Sequence, residues 1–556
     1  MATEPSSGPQ PAPAASSQSS TDASSSGSSP ADAGIALAET IRSTLGPNGM
    51  DKMLVGSDGR VVVTNDGASI LGRLEITDPI GKLLETTLET QRRAVSDGTT
   101  TTLVLIGELL SAAQSLQEDG VHPTTIIEGY AQATRSARQQ LTEYAHPVDS
   151  TDEETLQEVA ATTVTGRWDD RSTDRFASLA AAALRAVDFD RRRLTIAAYS
   201  GGELRDSQVI DGLLVDLDSS STSIDSLDAH PVRSVSDPRL VLVDSELAVE
   251  TPDSVESVSI SDPEQAQAFR QHDQQVRNGV VRRLREVDAD VVVCQKSIDS
   301  ELRAELVGAG ILAVERTRQD EFDAIARSTG ATAIRSVDEL TPSSVGRAGS
   351  VRRREIGSTD TLVITDCPNA SPVSLLLRGG TPHVASETER IMKTCTTVVQ
   401  RACEGRAVVP GGGATAMAVA RNLSDHAEAV ADREGIVIGA FADALEGIPR
   451  VLARNAGADP IDTLAALRTR HHAGATTVGV DRSGEPRDMV EAGVVEPRAV
   501  VDQTLTTTLE ATAMCLRVDD TISASDSSAA ETEHSHTEHG CDHESHTGGY
   551  PWALSH

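Results

Sequence analysis

Residues 406–419 read RAVVPGGGATAMAV, and the reading of this stretch decides the fold. A short β-branched run ends in a proline and three glycines, and a helix-forming Ala/Met/Val run follows. The first turn of a helix carries backbone N–H groups without partners and a positive partial charge, so anions settle there. Glycine adds close backbone approach. Three loops near the other end of the chain share this chemistry: TLGPNG (44–49), NDGAS (65–69) and SDGTTTT (96–102). Each loop alone is weak, and the P-loop pattern GxxxxGK[ST] is absent. Taken singly, Asp97 is more simply a helix N-cap and NDG a turn. Taken together, the loops predict one phosphate cradle that includes Thr44, Asn65 and Gly411. Thr99, Thr100 and Thr101 add hydroxyl donors. Asp66 and Asp97 would repel bare phosphate, so they are expected to hold Mg²⁺ against it. For loops so distant to meet, the residues between them must leave one domain and return. The expectation is a discontinuous base with an inserted head.

Composition agrees with helical and α/β layers. Apolar residues make up 38% of the 556, but aromatics only 2%, so the core must be built from Ala, Val, Leu and Ile. This length predicts two to four domains. The formal net charge of −35 argues against nucleic acid or an anionic membrane as the main partner, because both need a basic face. Of 49 basic residues only Lys52, Lys82, Lys296 and Lys393 are lysines. Such a balance fits a cytosol of high salt, and equally a GC-rich genome that favours arginine codons. The six cysteines include no CxxC pair. Cys395 and Cys403 fall on one predicted helix, about 12 Å apart in rise, too far to bridge. Reduced thiols in a cytoplasmic protein are expected. No apolar run of about 18 residues predicts a membrane span, and the Ser/Pro/Ala-rich start lacks a secretory apolar segment.

Along the chain, ADAGIALAETIRSTL and DPIGKLLETTLETQRRAV have helical spacing, with KMLVGSDGRVVVTNDG between them reading as two short strands around a Ser-Asp-Gly turn. TTTTLVLIGELLSAAQSL is apolar nearly all round, hence a buried helix. In the middle, RLVLVDSE, DVVVCQKS, GILAVERT and TLVITDC read as strands alternating with charged helices. After PGGG the pattern is helical again, interrupted by the hairpin-like ATTVGVDRSGEPRDM.

Nine stretches, in order, then resemble the landmarks of group II chaperonins, the archaeal thermosome and its eukaryotic cytosolic relatives. They are TLGPNGMDKMLV, VVVTNDGASIL, VSDGTTTTLVLIGELL, HPTTIIEGY, VVVCQKSID, LLLRGGTPHV, AVVPGGGATAM, LARNAGADPIDTL and GVVEP. The resemblance covers roughly residues 34–522. It implies a multidomain α/β plus all-α chaperonin architecture. Residues 34–144 and 404–522 would form a mainly helical equatorial ATP-binding domain. Residues 145–212 and 366–403 would form a small α/β intermediate domain. Residues 213–365 would form an α/β apical substrate-binding domain, with DPEQAQAFRQHDQQV as its helical protrusion. Flanking tails at 1–33 and 523–556 are expected to be disordered. The resemblance further implies an ATP-dependent chaperone that binds unfolded proteins and joins other subunits in a closed double ring. By motif, Leu45, Gly46, Pro47, Asp66, Gly67, Asp97, Gly98, Thr99, Thr100, Thr101 and Gly412 would contact ATP or its Mg²⁺. Glu496 would face the ribose or base end.

One position departs from the family. The helix before PGGG usually carries an Asp-Ala pair, the aspartate five residues after a Glu-Arg pair begins, and that acid orients the attacking water. Counting from Glu389-Arg390 gives Thr394 and Cys395. Ile391, Thr394, Cys395 and Val398 share an inward stripe, and Ser386 with Glu389 reads as a capping box. A threonine cannot accept a proton at neutral pH, so binding should persist while hydrolysis weakens, unless Asp66 substitutes. The alternative register, one turn away, would let Glu387 or Glu389 act. Other departures follow: Ser96 stands where the family prefers glycine, a mild change, and Arg167 where it often has lysine, keeping the charge but changing the geometry. The family's usual N-terminal strand is replaced by Ser-rich sequence, and because that strand normally joins neighbouring subunits, a nucleotide-binding structural subunit of a mixed ring is the alternative expectation. Finally, the tail TEHSHTEHGCDHESHTGG carries His534, His536, His539, Cys541, His543 and His546, which could bind Zn²⁺ or Ni²⁺ or simply form a hydrated acidic tail.

Overall fold

A computed structural model describes residues 30–56, 59, 61–74, 76–217, 234–248, 263–369, 371–430 and 432–518. Its first helix, Pro30–Arg42, begins four residues before the expected start of the equatorial segment. The helix buries Ala31, Gly34, Ala38 and Ile41. Small residues are needed here because it lies close against the helix Thr99–Glu118. A Cβ on Gly34 would fall 2.4 Å from Leu110 Cδ1, and one on Gly107 2.4 Å from the Ala38 Cβ. Tight helix contact thus replaces aromatic bulk as the source of packing density.

Both ends of the chain build one helical core. Leu105, Ile106 and Leu109 from the buried helix meet Tyr130 of Pro123–Gln140, Val437 and Phe441 of Arg433–Leu445, and Ala511 of Arg498–Arg517. The Tyr130 and Phe441 rings stand edge to face at 5.7 Å. The Arg138 guanidinium grips the Asp502 carboxylate with two hydrogen bonds of 2.7 and 2.9 Å. The strand Ala407–Pro410 lies between Val495–Pro497 and His146–Pro147, antiparallel to both. This strand carries the chain back into the base and aims the triple glycine.

A second core packs the helices Glu153–Val164, Asp170–Ala186 and Pro382–Gly405 against a sheet in which Val373–Gly379 pairs parallel with Leu194–Ser200 and antiparallel with Gln208–Asp211. The helix Pro382–Gly405 starts earlier than the sequence pattern predicts. Its N-cap is Thr381, whose hydroxyl accepts from the Val384 N–H at 3.3 Å, with proline at the first helical position. A threonine cap followed by proline outcompetes Ser386 as a start signal. Ser386 is therefore interior, and Glu389 pairs with Lys393 at 2.6 Å instead of closing a capping box.

The remaining insertion has two sheets. Arg239–Val243, Val291–Cys294 and Leu312–Val314 run parallel, with Gly346–Arg347 antiparallel at one edge. All four residues of Val291–Cys294 are buried, as a strand covered on both faces requires. Leu213–Asp216, Thr359–Thr365, Ser350–Ile356 and Ser234–Ser236 form the second, antiparallel sheet. The charged segment from residue 263 is one helix, Pro263–Glu286. In the base, Lys52–Val55 and Val61–Thr64 pair as the expected hairpin, which leaves Met53, Val55, Val61 and Val63 exposed.

Candidate functional site

The four glycine loops line one cavity of about 630 Å³. From the first loop come Thr44, Leu45, Gly46 and Pro47; from the second, Asn65 and Asp66. Asp97, Gly98, Thr99, Thr100 and Thr101 come from the third, Gly412 from the fourth, and Glu496 from GVVEP. Thr394 is on the same wall. Gly67 and Gly411 are not. A Cβ on Gly67 would sit 2.7 Å from Thr100 Oγ1, and one on Gly411 3.1 Å from Glu496 Oε1, so both glycines serve close packing behind the wall.

Two helices point their N-termini into the cavity without a side-chain cap. Thr99–Glu118 starts at Gly98 with φ 76°, and Ala414–Ala429 starts at Gly413 with φ 76°. Left-handed backbone of this kind is costly for any residue with a Cβ. Many other helices here use an aspartate as cap, among them those at Asp78, Asp152, Asp169 and Asp459. The simple reading of Asp97 as an N-cap is therefore wrong: its carboxylate accepts from the adjacent Gly98 N–H at 2.7 Å and not from the helix beyond. NDG is likewise no turn, because Asp66 caps the helix Gly67–Leu71 through the Ser69 N–H at 2.8 Å. Asn455 fixes the first loop, donating from Nδ2 to the carbonyls of Arg42 and Leu45 at 3.0 and 2.8 Å.

The cavity's charges are arranged unevenly. Asp66 Oδ2, besides its cap, lies 3.4 Å from an Arg390 nitrogen, and Arg390 also binds Glu387 at 2.6 Å. Burial pushes Asp97 above the usual carboxylate range, and the Asp66 charge adds to this against the pull of the Gly98 N–H and Arg167. Glu496 is pushed up to about 7, by burial first and by Asp97 second. Burial and the Arg390 charge pull Arg167 down from the ordinary arginine value. Two carboxyls held above their ordinary range and two guanidiniums around one cavity suit a ligand that brings both anion and cation. The Asn65 side-chain oxygen is buried there with no hydrogen-bond partner among the described residues.

Thr394 sits on the cavity-facing side of Pro382–Gly405, with Ile391, Cys395 and Val398 buried beside it. Thr388, Thr396 and Thr397 each donate to a carbonyl one turn back in their own helix. Thr394 has no such bond among the described residues. Cys395 next to it is pushed up to about 12 by burial and the Asp97 charge, so its thiol stays protonated. Glu387 and Glu389, the candidates of the alternative register, are engaged by Arg390 and Lys393.

Sequence reasoning missed part of the wall. Asp481, Arg482, Ser483, Arg487 and Met489 close one side from the hairpin Val478–Val480/Pro486–Asp488. A Cβ on Gly412 (φ 58°) would fall 2.4 Å from Met489 Sδ and 2.9 Å from the Val480 carbonyl, so that glycine admits the hairpin, not only a ligand. The sequence shows the hairpin but not its approach to the glycine loop, which is a tertiary contact. Thr162, Thr163, Thr165 and Arg167 approach from the end of the helix Glu153–Val164 and the loop after it, where Gly166 (φ 77°) lets the chain pass over the Pro47 carbonyl.

A split helical base, an α/β insertion and a phosphate-type cavity shared by both chain ends define a chaperonin architecture. The chain belongs to the TCP-1/cpn60 chaperonin family, whose model matches residues 37–526. It is similar to thermosome subunit alpha of Halobacterium salinarum, with 40% identity over 89% of this chain and 88% of that protein. It is also similar to the thermosome subunit of Methanopyrus kandleri, 39% identical over 88% of this chain and 90% of the relative. Thermosome subunit 1 of Haloferax volcanii is 39% identical over 90% of this chain and 89% of its own length.

The donor set fits a magnesium nucleotide. Uncapped helix N-termini and threonine hydroxyls suit phosphates, and Asp97 with the unpartnered Asn65 oxygen suits a hydrated cation that arrives with them. No group of three or more metal-binding side chains occurs among the described residues. No helix among them is long and apolar enough to cross a membrane. The histidine-rich tail and the N-terminal segment lie outside the described residues.

Proposed function

We propose that this chain is an ATP-dependent chaperone subunit of a double ring that binds Mg-ATP firmly and hydrolyses it slowly. Family membership supports the chaperone role, client proteins and ring partners. The exposed apolar hairpin at Met53, Val55, Val61 and Val63 supports a neighbour on that face. The single observation that carries the slow hydrolysis is Thr394 on the cavity wall, where the family places its water-orienting acid. The bound group would supply phosphate charge and a divalent cation. The chain's own part is to bind and orient. Thr99, Thr100 and Thr101 offer N–H and O–H donors, Asp97 faces the cation, and Arg167 and Arg390 balance the phosphate charge. Glu496 lies against Gly411, toward the ribose or base end.

Thr394 also favours a second reading, a subunit that assembles a mixed ring, takes nucleotide and turns over little. Equilibrium binding of Mg-ATP in molar salt, together with the steady-state hydrolysis rate and particle imaging, tests both. Tight binding with turnover that drives refolding supports the first. Tight binding in rings without turnover supports the second. A chain that takes up no adenine nucleotide overturns both.

A further inference from the structure

The helix Pro79–Val95 buries Ile80, Gly81, Leu84, Leu88 and Val95, and among them one polar side chain, Gln91, with no exposed surface. An amide in such a stripe is costly unless every polar atom finds a partner. Gln91 does. Its Nε2 donates to the Asp97 carbonyl at 3.1 Å and to Thr504 Oγ1 at 3.3 Å. Its Oε1 accepts from Thr507 Oγ1 at 2.9 Å. Gln503 holds Thr507 in turn, at 3.0 Å. The two threonines belong to the C-terminal helix Arg498–Arg517, so one side chain joins the two ends of the chain directly behind the third glycine loop.

We propose that Gln91 is a positioning residue for Asp97, acting through a clamp with Thr504 and Thr507. The peptide between Asp97 and Gly98 is held on both sides. Its N–H is taken by the Asp97 carboxylate at 2.7 Å and its carbonyl by Gln91 at 3.1 Å. Turning that peptide would turn the carboxylate with it. Gly98 leaves no slack, since a Cβ there would sit 2.8 Å from Thr504 Oγ1 and 3.2 Å from Gln91 Nε2. Gln91 does not itself line the cavity. It holds two residues of the cavity wall, Asp97 and Thr504, and its effect on the magnesium-dependent part of binding runs through the direction in which Asp97 faces. The inference rests on the reading of Asp97 as the residue facing magnesium.

The test compares ATP affinity of the full chain in excess Mg²⁺ with that in chelator, for wild type, Gln91→Met, Thr507→Val and Thr507→Ser. We expect Gln91→Met to lose about ten-fold of the magnesium-dependent gain, the order of one buried hydrogen bond. Its metal-free affinity should not change. Thr507→Val should lose less in the same direction, and Thr507→Ser should keep the wild-type gain. If metal-free and magnesium-dependent affinity fall together, Gln91 is a core residue only and the inference fails. It fails equally if the gain is intact in both Gln91→Met and Thr507→Val. Should the wild type itself bind no tighter with Mg²⁺ than without, the reading of Asp97 fails first and the clamp's role with it.

Discussion

On the proposed reading, a carboxylate placed at position 394 should raise the rate of ATP hydrolysis. Thr394→Asp adds a proton acceptor on a wall that already contains Asp66, Asp97 and Glu496, so its electrostatic setting matters. The residue one turn back is Arg390, which lines the same cavity and is shared between Asp66 at 3.4 Å and Glu387 at 2.6 Å. A third acid beside Arg390 is thus partly neutralised, and the stability change should stay within about 1 kcal/mol. The catalytic gain is larger. A positioned base contributes about 10²–10⁴ in rate, equivalent to about 3–5 kcal/mol of barrier. Single-turnover hydrolysis of labelled ATP at saturating Mg²⁺ reads the chemical step directly, and equilibrium binding should move little. Thr394→Asn is the control, with similar size and no basicity, and should remain at the wild-type rate. A Thr394→Asp protein that turns over no faster than wild type would refute the reasoning. So would an asparagine variant that accelerates as much, because shape and not proton transfer would then be limiting.

Three further outcomes follow from the same geometry. Ser96 caps Pro79–Val95 with φ 61°, a left-handed conformation that costs a serine about 1 kcal/mol, so Ser96→Gly should raise unfolding stability by that order in a denaturant melt. Gly98→Ala meets the opposite fate: its Cβ would lie 2.8 Å from Thr504 Oγ1 at φ 76°, and calorimetric titration should show nucleotide binding lost along with about 1–3 kcal/mol of stability. Glu496, raised from 4.5 to about 7, keeps a proton in the folded state that the unfolded chain has released, so nucleotide-free stability should fall as pH rises through that window. The loss is at most about 3 kcal/mol, less where water enters the cavity, and Glu496→Gln should flatten the profile between those limits.

Why some of this was legible in the sequence and some was not has a physical reason. The discontinuous base could be read because uncapped helix starts leave a local signature, glycine before a run of helix formers, wherever the loops lie in the chain. Thr394 could be read because its place on an inward stripe depends only on helical period. Glycine is ambiguous, however, between approach to a ligand and approach to protein. Gly67 and Gly411 turned out to face Thr100 and Glu496, and Gly412 admits Met489. Cap choice is also a competition that spacing does not decide: Thr381-Pro382 won over Ser386. The pairing of Arg390 with Asp66, and the wall from Asp481 to Met489, depend on tertiary approach and carry no local pattern.

The proposed separation of binding from hydrolysis follows from where each would reside in the chain. On that reading binding would be spread over backbone N–H groups at two helix starts, three threonine hydroxyls and loops fixed by Asn455 and Gln91. Loss of any one side-chain donor would weaken it only in part, whereas a change that deforms the backbone, as at Gly98, would remove it. Hydrolysis needs those same contacts plus one acceptor aimed at one water, because phosphoryl transfer is catalysed largely by positioning and charge. Asp66 is poorly free to supply that acceptor, with one oxygen already serving both the Ser69 N–H and Arg390. A one-residue exchange from acid to threonine on the helix Pro382–Gly405 can therefore slow the chemistry while the cradle built by both ends of the chain stays whole.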